Sequence, residues 1–221
     1  MSLKYSCEFC CLEESNDPVL PDYLMDINTA GINQGIIYRG VHYLVKPDIS
    51  PIIENHLLII PKEHVFCMNS SILKVYEGEL KMVKQIIMDF CHGLGKGVLF
   101  FEHGCCSDKE SGSSCIHHAH LHAIPVTAEQ EKSVVCEVVK DLGVPISTTA
   151  DVVGKEYLYL ETERLGSMYW TDNARQSQFF RIVISRTIGD VKRSRWQNCL
   201  IDESEKEKSK KWLEKFEHLL L

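Results

Sequence analysis

The sequence predicts an α+β fold in which a long helix packs on an antiparallel sheet. Two observations carry this prediction. Several short stretches are rich in β-branched and aromatic residues, as strands are, and one stretch between them has the periodicity of an amphipathic helix. With 221 residues, the chain is long enough to bury a sizeable core. We expect strands around residues 41–46, 56–61, 98–102 and 117–124, and the helix from about residue 71 to residue 91.

The first two strands are predicted from the stretches "IIYRGVHYLVKP" and "HLLIIP", which end at Pro47 and Pro61. The helix begins after them, because Asn69, Ser70 or Ser71 can cap its first turn. Its apolar residues recur at spacings of four and three and therefore share one face: Tyr76, Leu80, Val83, Ile87 and Phe90. Glycines end the helix, "GVLFFEH" is the third strand, and "GCCSDKESGSSC" is a loop.

The second half of the chain predicts a helix from Ala128 to Leu142, and its texture changes after Pro145. There, "EYLYLETERLGSMYWTD" is typical of a hairpin and "ARQSQFFRIVISRTIG" of a helix. A terminal helix is predicted from "SEKEKSKKWLEKFEHLL", which begins with a capping-box pattern at Ser204. We expect a first domain at residues 1–126 and an extension at residues 127–221 that packs on this core.

The composition excludes several classes of protein. A net charge of −7 argues against a general nucleic-acid binder, which would present a basic face. The opening "MSLKYSCEFC" lacks the apolar core of a signal peptide, and no apolar run approaches the roughly 18 residues of a membrane span. We therefore expect a cytoplasmic protein without a membrane partner, whose ten cysteines are free thiols and metal ligands, not disulfides.

The stretch "CIHHAHLHAIP" carries the strongest functional signal. His118, His120 and His122 are spaced by two residues, which is the period of a strand, so they share one face while the small apolar residues between them pack inward. Each ring nitrogen on that face needs a partner. Such an array either binds a metal or shares protons around an anion, and the histidines alone leave both alternatives open.

Two further motifs supply candidate partners. Cys7 and Cys10 form a CxxC pair, which is half of a tetrahedral zinc site whose missing ligands we expect to be histidines. A redox CxxC would normally begin a helix after a strand, and no strand is predicted before this one. In "PDISPIIENHLLIIPKEH", Asp48 ends a strand, where a carboxylate can bind the hydroxyls of a ribose or serve as a turn residue.

Together, "DISPIIENHLLIIPKEH" and "HHAHLHAIP" resemble the signature of the histidine-triad (HIT) superfamily of nucleotide hydrolases and transferases. The triad with its alternating apolar residues fits at every position from His118 to Ile124, and the upstream motif fits from Asp48 to His64. The resemblance covers about residues 7 to 126. It implies a HIT-like fold, a homodimer and a small-molecule nucleotide as substrate.

The resemblance also implies roles for individual residues. The middle histidine, His120, would attack the α-phosphorus of the nucleotide, and His122 would donate hydrogen bonds to the phosphate. Substrate binding is implied for Asp48, Asn55 and His56. A structural zinc is implied by the set that comprises Cys7, Cys10, His64 and His118.

The chain departs from the family in the loop before the triad. Members commonly carry Gly-Gln followed by Ser or Thr there, whereas this chain has Ser113-Ser114-Cys115, so we expect Ser114 to be the replacement donor. Glu102 and His103 end a strand near the expected site, and either could be functional. Arg181 could face the leaving group, but simple packing of its helix is the preferred interpretation.

Three functions compete. The first is cleavage or transfer of a nucleoside monophosphate from a dinucleoside polyphosphate, a nucleoside phosphoramidate or a nucleotide sugar. The second is a zinc-dependent hydrolase in which the triad holds a catalytic metal. The third is a regulatory module that binds nucleotides with little turnover.

Overall fold

The structure, a computed structural model, describes residues 7, 9–10, 36–104, 118–146, 152, 155–171 and 178–217, with side chains to residue 212. Seven strands within these residues form one antiparallel sheet in the order β1-β2-β3-β5-β4-β6-β7. They are β1 (Tyr38–Arg39), β2 (Tyr43–Pro47), β3 (Leu57–Pro61), β4 (Gly97–Gly104), β5 (Leu121–Val126), β6 (Tyr157–Thr162) and β7 (Gly166–Trp170). The predicted α+β fold is confirmed.

Helices cover both faces of this sheet. The described helices are α1 (Ser71–Lys74), α2 (Glu77–Gly93), α3 (Ala128–Leu142), α4 (Phe179–Thr187), α5 (Asn198–Ile201) and α6 (Glu203–Glu217), with a 3-10 turn at Val191–Ser194. None of the helices in the described ranges is long and apolar enough to cross a membrane.

The two faces of the sheet bury separate sets of side chains. Beneath α2 lie Phe100, Leu121 and Ala123, as the alternation around the histidines predicts. The opposite face packs Phe101 and Ile124 against α3 and α4. The histidines project on this second face, between the two clusters of apolar residues that cover it.

The strand register places His122 at the centre of the sheet. It lies opposite Leu58 of β3 on one side and opposite Phe101 of β4 on the other. The hairpin of β6 and β7 then extends the same sheet, because β6 pairs with β4 along its whole length. The division of the chain at residue 126 stays a prediction, and the hairpin beyond that point continues the sheet.

Several element boundaries differ from those predicted, and three of these differences have a clear structural cause. The helix expected from 71 to 91 is broken at Val75 and Tyr76, where the backbone makes i to i+3 hydrogen bonds and Tyr76 leaves the helical conformation. The ring of Tyr76 stacks on His42 with centroids 3.5 Å apart. This tertiary contact outweighs the helical periodicity.

The histidine strand begins later than expected, at Leu121 and not at residue 117. The amide of Ala119 donates to the carbonyl of Val65, and the ring of His118 binds the carbonyl of Pro61. This segment therefore bonds to the chain that follows β3, which takes it out of the ladder with β4.

The terminal helix begins at Glu203, because Asp202 and not Ser204 caps it. The Asp202 carboxylate accepts hydrogen bonds from the amides of Ser204 and Glu205. Aspartate is among the best capping residues, so the cap moves to it. A capping box is found instead before α3, where Thr127 and Gln130 form it.

Candidate functional site

The first part of the site is a cluster of two thiols and two imidazoles. Cys7, Cys10, His64 and His118 present ligand atoms that all lie within 4.8 Å of one another. The Cys10 sulfur lies 3.2 Å from Nδ1 of His64 and 3.5 Å from Nδ1 of His118. The structure thus brings together the four residues that the sequence motifs nominate for zinc.

The spacing of these atoms fits a tetrahedral metal. With a zinc–sulfur distance of about 2.3 Å and a zinc–nitrogen distance of about 2.0–2.1 Å, tetrahedral angles put sulfur and nitrogen about 3.5 Å apart. The ring of His118 is also oriented for this role, because its Nε2 lies 2.7 Å from the carbonyl oxygen of Pro61. That hydrogen bond places the proton on Nε2 and leaves the Nδ1 lone pair for a metal.

The second part of the site begins one step further along the triad, at His120. Its Nδ1 donates to the backbone carbonyl of His118 over 2.8 Å, so the lone pair lies on Nε2. Burial lowers the pKa of His120 below its usual value, which favours the neutral ring. Phe9 packs edge-on against both His118 and His120 and joins the two parts of the site.

The third triad residue, His122, is hydrogen-bonded to another histidine. Nε2 of His56 lies 2.9 Å from Nδ1 of His122. The amide of Ile52 donates to Nδ1 of His56 over 3.1 Å, so that nitrogen must be an acceptor and the His56 proton sits on Nε2. His122 therefore accepts on Nδ1 and carries its own proton on Nε2.

The ring of His122 is also fixed by packing. It stacks on Phe101 with centroids 4.5 Å apart and an angle of 3° between the planes. Burial lowers the pKa of His122 well below its usual value and that of His56 to about 4, so both rings are neutral near pH 7. The two rings therefore differ in which nitrogen faces the other ring with a proton, and not in charge.

Asp48 lies at the base of this relay. It is 6% exposed, its Oδ1 accepts from the Ser50 amide, and its Oδ2 lies 3.4 Å from Nδ1 of His56 and 3.4 Å from Nη1 of Arg181. Burial acts to raise the pKa of the Asp48 carboxyl, but the charge of Arg181 and the hydrogen bond from the Ser50 amide hold it below its usual range. Asp48 is therefore an ionised, buried carboxylate.

Asp48, His56 and His122 could also be considered as a second metal site, since their ligand atoms lie within 4.8 Å of one another. The two histidines, however, face each other at hydrogen-bonding distance, and the remaining nitrogen of His56 accepts from a backbone amide. This hydrogen-bonded arrangement favours proton sharing over metal binding.

The other predicted site residues have different positions. Asn55 adopts a left-handed conformation with φ of 65° just before β3, which asparagine tolerates better than most residues. Ser114, with its neighbours Ser113 and Cys115, lies outside the described residues. Their assignments to the substrate stay predictions.

Glu102 and His103 lie on opposite faces of β4. Glu102 is buried on the α2 side, where Tyr157 donates to one oxygen over 2.5 Å and the Met68 amide to the other over 2.7 Å. This carboxyl ties β4 to β6 and to the loop before α1, which is a structural role. His103 lies on the face of Phe101, toward the triad.

The buried contact of Arg181 with Asp48 was not predicted from the sequence. Arg181 sits on α4, is 6% exposed and reaches across 133 residues of sequence to contact Asp48. The only available signal was an arginine among apolar residues of a predicted helix. That pattern gives no indication of which loop the helix covers.

A known family matches the central part of the chain. Residues 36–138, slightly less than half of the chain, match the sequence model of a family described as "Protein similar to CwfJ C-terminal", which is of histidine-triad type. No curated protein matches the chain.

Solved structures of several histidine-triad proteins are similar to parts of it. A Zn-bound histidine triad family protein from Mycobacterium smegmatis is 21% identical, with 57% of this chain and 78% of that chain covered and a TM-score of 0.40. A hypothetical histidine triad nucleotide-binding protein from Sulfolobus tokodaii is 20% identical, with 55% and 70% covered and a TM-score of 0.38. A HIT family hydrolase from Clostridium thermocellum is 23% identical, with 42% and 79% covered and a TM-score of 0.31.

The family match over residues 36–138 is of histidine-triad type, as the resemblance of the two motifs implies.

Proposed function

We propose that this protein cleaves or transfers a nucleoside monophosphate through a covalent intermediate on His120. The observation that carries the proposal is the hydrogen bond from Nδ1 of His120 to the His118 carbonyl. It fixes a neutral tautomer whose Nε2 lone pair is available, and such an imidazole is a competent nucleophile near pH 7.

The reaction has two balanced steps. In the first, Nε2 of His120 forms a bond to the α-phosphorus while the bond from phosphorus to the leaving group breaks. The leaving group departs with the electron pair and takes up a proton from solvent. In the second, water or inorganic phosphate attacks the phosphorus and releases a proton to solvent. The nitrogen–phosphorus bond breaks with its electron pair on Nε2 of His120, and the nucleotide leaves. Splitting one hard displacement into two is the benefit of the covalent route.

His122 stabilises the charge that develops on the phosphate. Its Nε2 proton is set by the relay from the Ile52 amide through His56, so the donor is in place before the substrate arrives. Its stacking on Phe101 restricts the ring further. Asp48, Asn55 and Ser114 remain the candidates for holding the rest of the nucleotide.

The cluster of Cys7, Cys10, His64 and His118 is proposed as a structural zinc site. Two thiolates and two imidazoles complete a tetrahedral shell and leave no position for water, and the spacing of the donors fits such a shell. When bound, zinc would supply stability. Its effect on the chemistry would be to hold the His118 carbonyl that orients His120.

The test replaces the nucleophile. His120→Asn should lower turnover by several powers of ten while nucleotide binding changes little, because the lost bond exists only along the reaction path. His122→Ala should cost about two to three powers of ten, as loss of one oxyanion donor does. His92→Asn is the control, since His92 is an exposed histidine paired with Glu163 at the end of α2.

Substrates should include dinucleoside polyphosphates, nucleoside phosphoramidates and nucleotide sugars, each in water and in phosphate. Acid-sensitive label on His120 after a rapid quench is the expected direct sign of the intermediate. Near wild-type turnover of His120→Asn would show that the mechanism is wrong.

Two other functions give different results in the same assays. A zinc-dependent hydrolase would lose its activity on chelation under conditions where the protein stays folded. A regulatory module would bind nucleotides and turn none of them over. A cytoplasmic location and the absence of a nucleic-acid partner remain part of the proposal.

A further inference from the structure

Arg181 is a buried cation that belongs to neither part of the proposed site. Its Nε donates to the carbonyl oxygen of Arg193 over 3.1 Å, and its Nη2 donates to the carbonyl oxygen of Ser50. Its Nη1 lies 3.4 Å from Oδ2 of Asp48. Burying a guanidinium is costly unless its partners are well placed, and among the described contacts Asp48 is the carboxylate that balances it.

Two groups compete for Nδ1 of His56, which lies next to the ion pair of Arg181 and Asp48. Nδ1 of His56 accepts from the Ile52 amide at 3.1 Å, and the Asp48 carboxylate lies 3.4 Å from the same nitrogen. A carboxylate favours a proton on the imidazole nitrogen that it faces. A nitrogen that bears a proton cannot accept from the amide. Only one of the two groups can therefore set the tautomer of His56.

The tautomer of His56 determines the tautomer of His122, which is the proposed phosphate donor. With the amide in control, His56 donates from Nε2 to Nδ1 of His122, and His122 keeps its proton on Nε2. With the carboxylate in control, the proton of His56 moves to Nδ1, and Nε2 becomes an acceptor. His122 must then donate from Nδ1, and its Nε2 presents a lone pair to the phosphate instead of a proton.

We propose that Arg181 is a positioning residue, which offsets the charge of Asp48 and so keeps His122 in the tautomer that donates to substrate. The inference rests on the proposed function of His122 as a phosphate donor. It gives the C-terminal part of the chain a role in the site, because Arg181 comes from α4 and is itself held by the backbone of Arg193. Arg193 is fully buried and bound to the carbonyls of Pro51 and Glu205.

The tautomers can be read in the resting protein by long-range proton–nitrogen NMR of histidine rings, assigned with His56→Ala and His122→Ala. Wild type should show His122 protonated on Nε2. Arg181→Met should move that proton to Nδ1, and the double variant Arg181→Met with Asp48→Asn should restore it, because both charges are then absent. Arg181→Lys keeps the charge and should resemble wild type. Arg186→Met, at an exposed arginine on the same helix, is the control.

Turnover supplies a second measurement. Arg181→Met should lower kcat by about ten- to a hundredfold, less than the full loss of one oxyanion donor, with KM little changed. If Arg181→Met does not fold, Arg181→Gln removes the charge but keeps a donor for Ser50 and carries the same prediction. An unchanged His122 tautomer in the folded variant would overturn the inference. Because the NMR measurement needs no substrate, an inactive wild-type protein would count against the proposed function and not against this role of Arg181.

Discussion

Replacing Cys10 with serine tests the proposed zinc site at a buried ligand. Cys10 is 2% exposed, and its sulfur contacts the ring nitrogens of both His64 and His118. A serine hydroxyl is shorter and remains protonated near neutral pH, whereas zinc is bound by deprotonated ligands. The substitution therefore removes one of four donors and changes little else in the core.

The expected loss of stability follows from the linkage between zinc binding and folding. A ligand present at about a thousand times its dissociation constant stabilises the folded state by about 4 kcal/mol. In a chain of this size, 1 kcal/mol moves the unfolding midpoint by about 2–4 °C. We therefore expect Cys10→Ser to unfold about 8–16 °C below wild type. Residual turnover should persist in the folded fraction, because in the proposed reaction the metal binds neither His120 nor the phosphate and acts only through the position of the His118 carbonyl.

The assay combines metal analysis with thermal unfolding. Wild type should carry about one zinc per chain, and thorough chelation should lower its midpoint by about as much as the substitution does. Chelation of Cys10→Ser should have little further effect. Cys136→Ser, at an exposed cysteine on α3, should retain the metal and the wild-type midpoint. A metal-free wild-type protein, or a Cys10→Ser variant with the midpoint of wild type, would refute the assignment.

Two other predictions concern stability and assembly. Burial raises the pKa of Glu102 to about 7, so the folded state holds a proton that the unfolded chain loses above about pH 4.5, and stability should fall as pH rises between these values. Glu102→Gln should remove about 3 kcal/mol of that decline in the free energy of unfolding. Urea unfolding of both proteins at pH 5 and pH 8 measures the difference. An identical pH dependence in the two proteins would contradict the prediction. The family resemblance implies a homodimer, so light scattering at micromolar concentration should give twice the molar mass of one chain. A monomer there would count against it.

The motifs allowed much of the site to be predicted because they are local. A two-residue period fixes which face of a strand a side chain occupies, so the triad and the inward packing of Leu121 and Ala123 follow from the sequence alone. The family resemblance then implied that His64 and His118 lie beside the CxxC pair. The strands around the triad were also predicted, because each is a compact run of β-branched and aromatic residues.

The rest depended on contacts between distant segments. Nothing near Tyr76 in the sequence indicates that it stacks on His42 and interrupts the helix. Similarly, Asp48 has the sequence context of a turn residue, and the cation beside it is an arginine 133 residues away. Local periodicity carries no information on such pairs, since they depend on how the helices pack over the sheet.

The three triad histidines differ in their hydrogen-bond partners although the sequence presents them as equivalent. Each has one ring nitrogen fixed by a separate neighbour: the Pro61 carbonyl for His118, the His118 carbonyl for His120, and the His56 ring for His122. Two of these neighbours are backbone acceptors, which cannot change their protonation, so the lone pairs of His118 and His120 are set by the fold. The third neighbour is itself a titratable ring whose tautomer depends on Asp48 and Arg181. Substitutions remote from the substrate should therefore act on catalysis mainly through His122, and the positions to alter are those that surround Asp48.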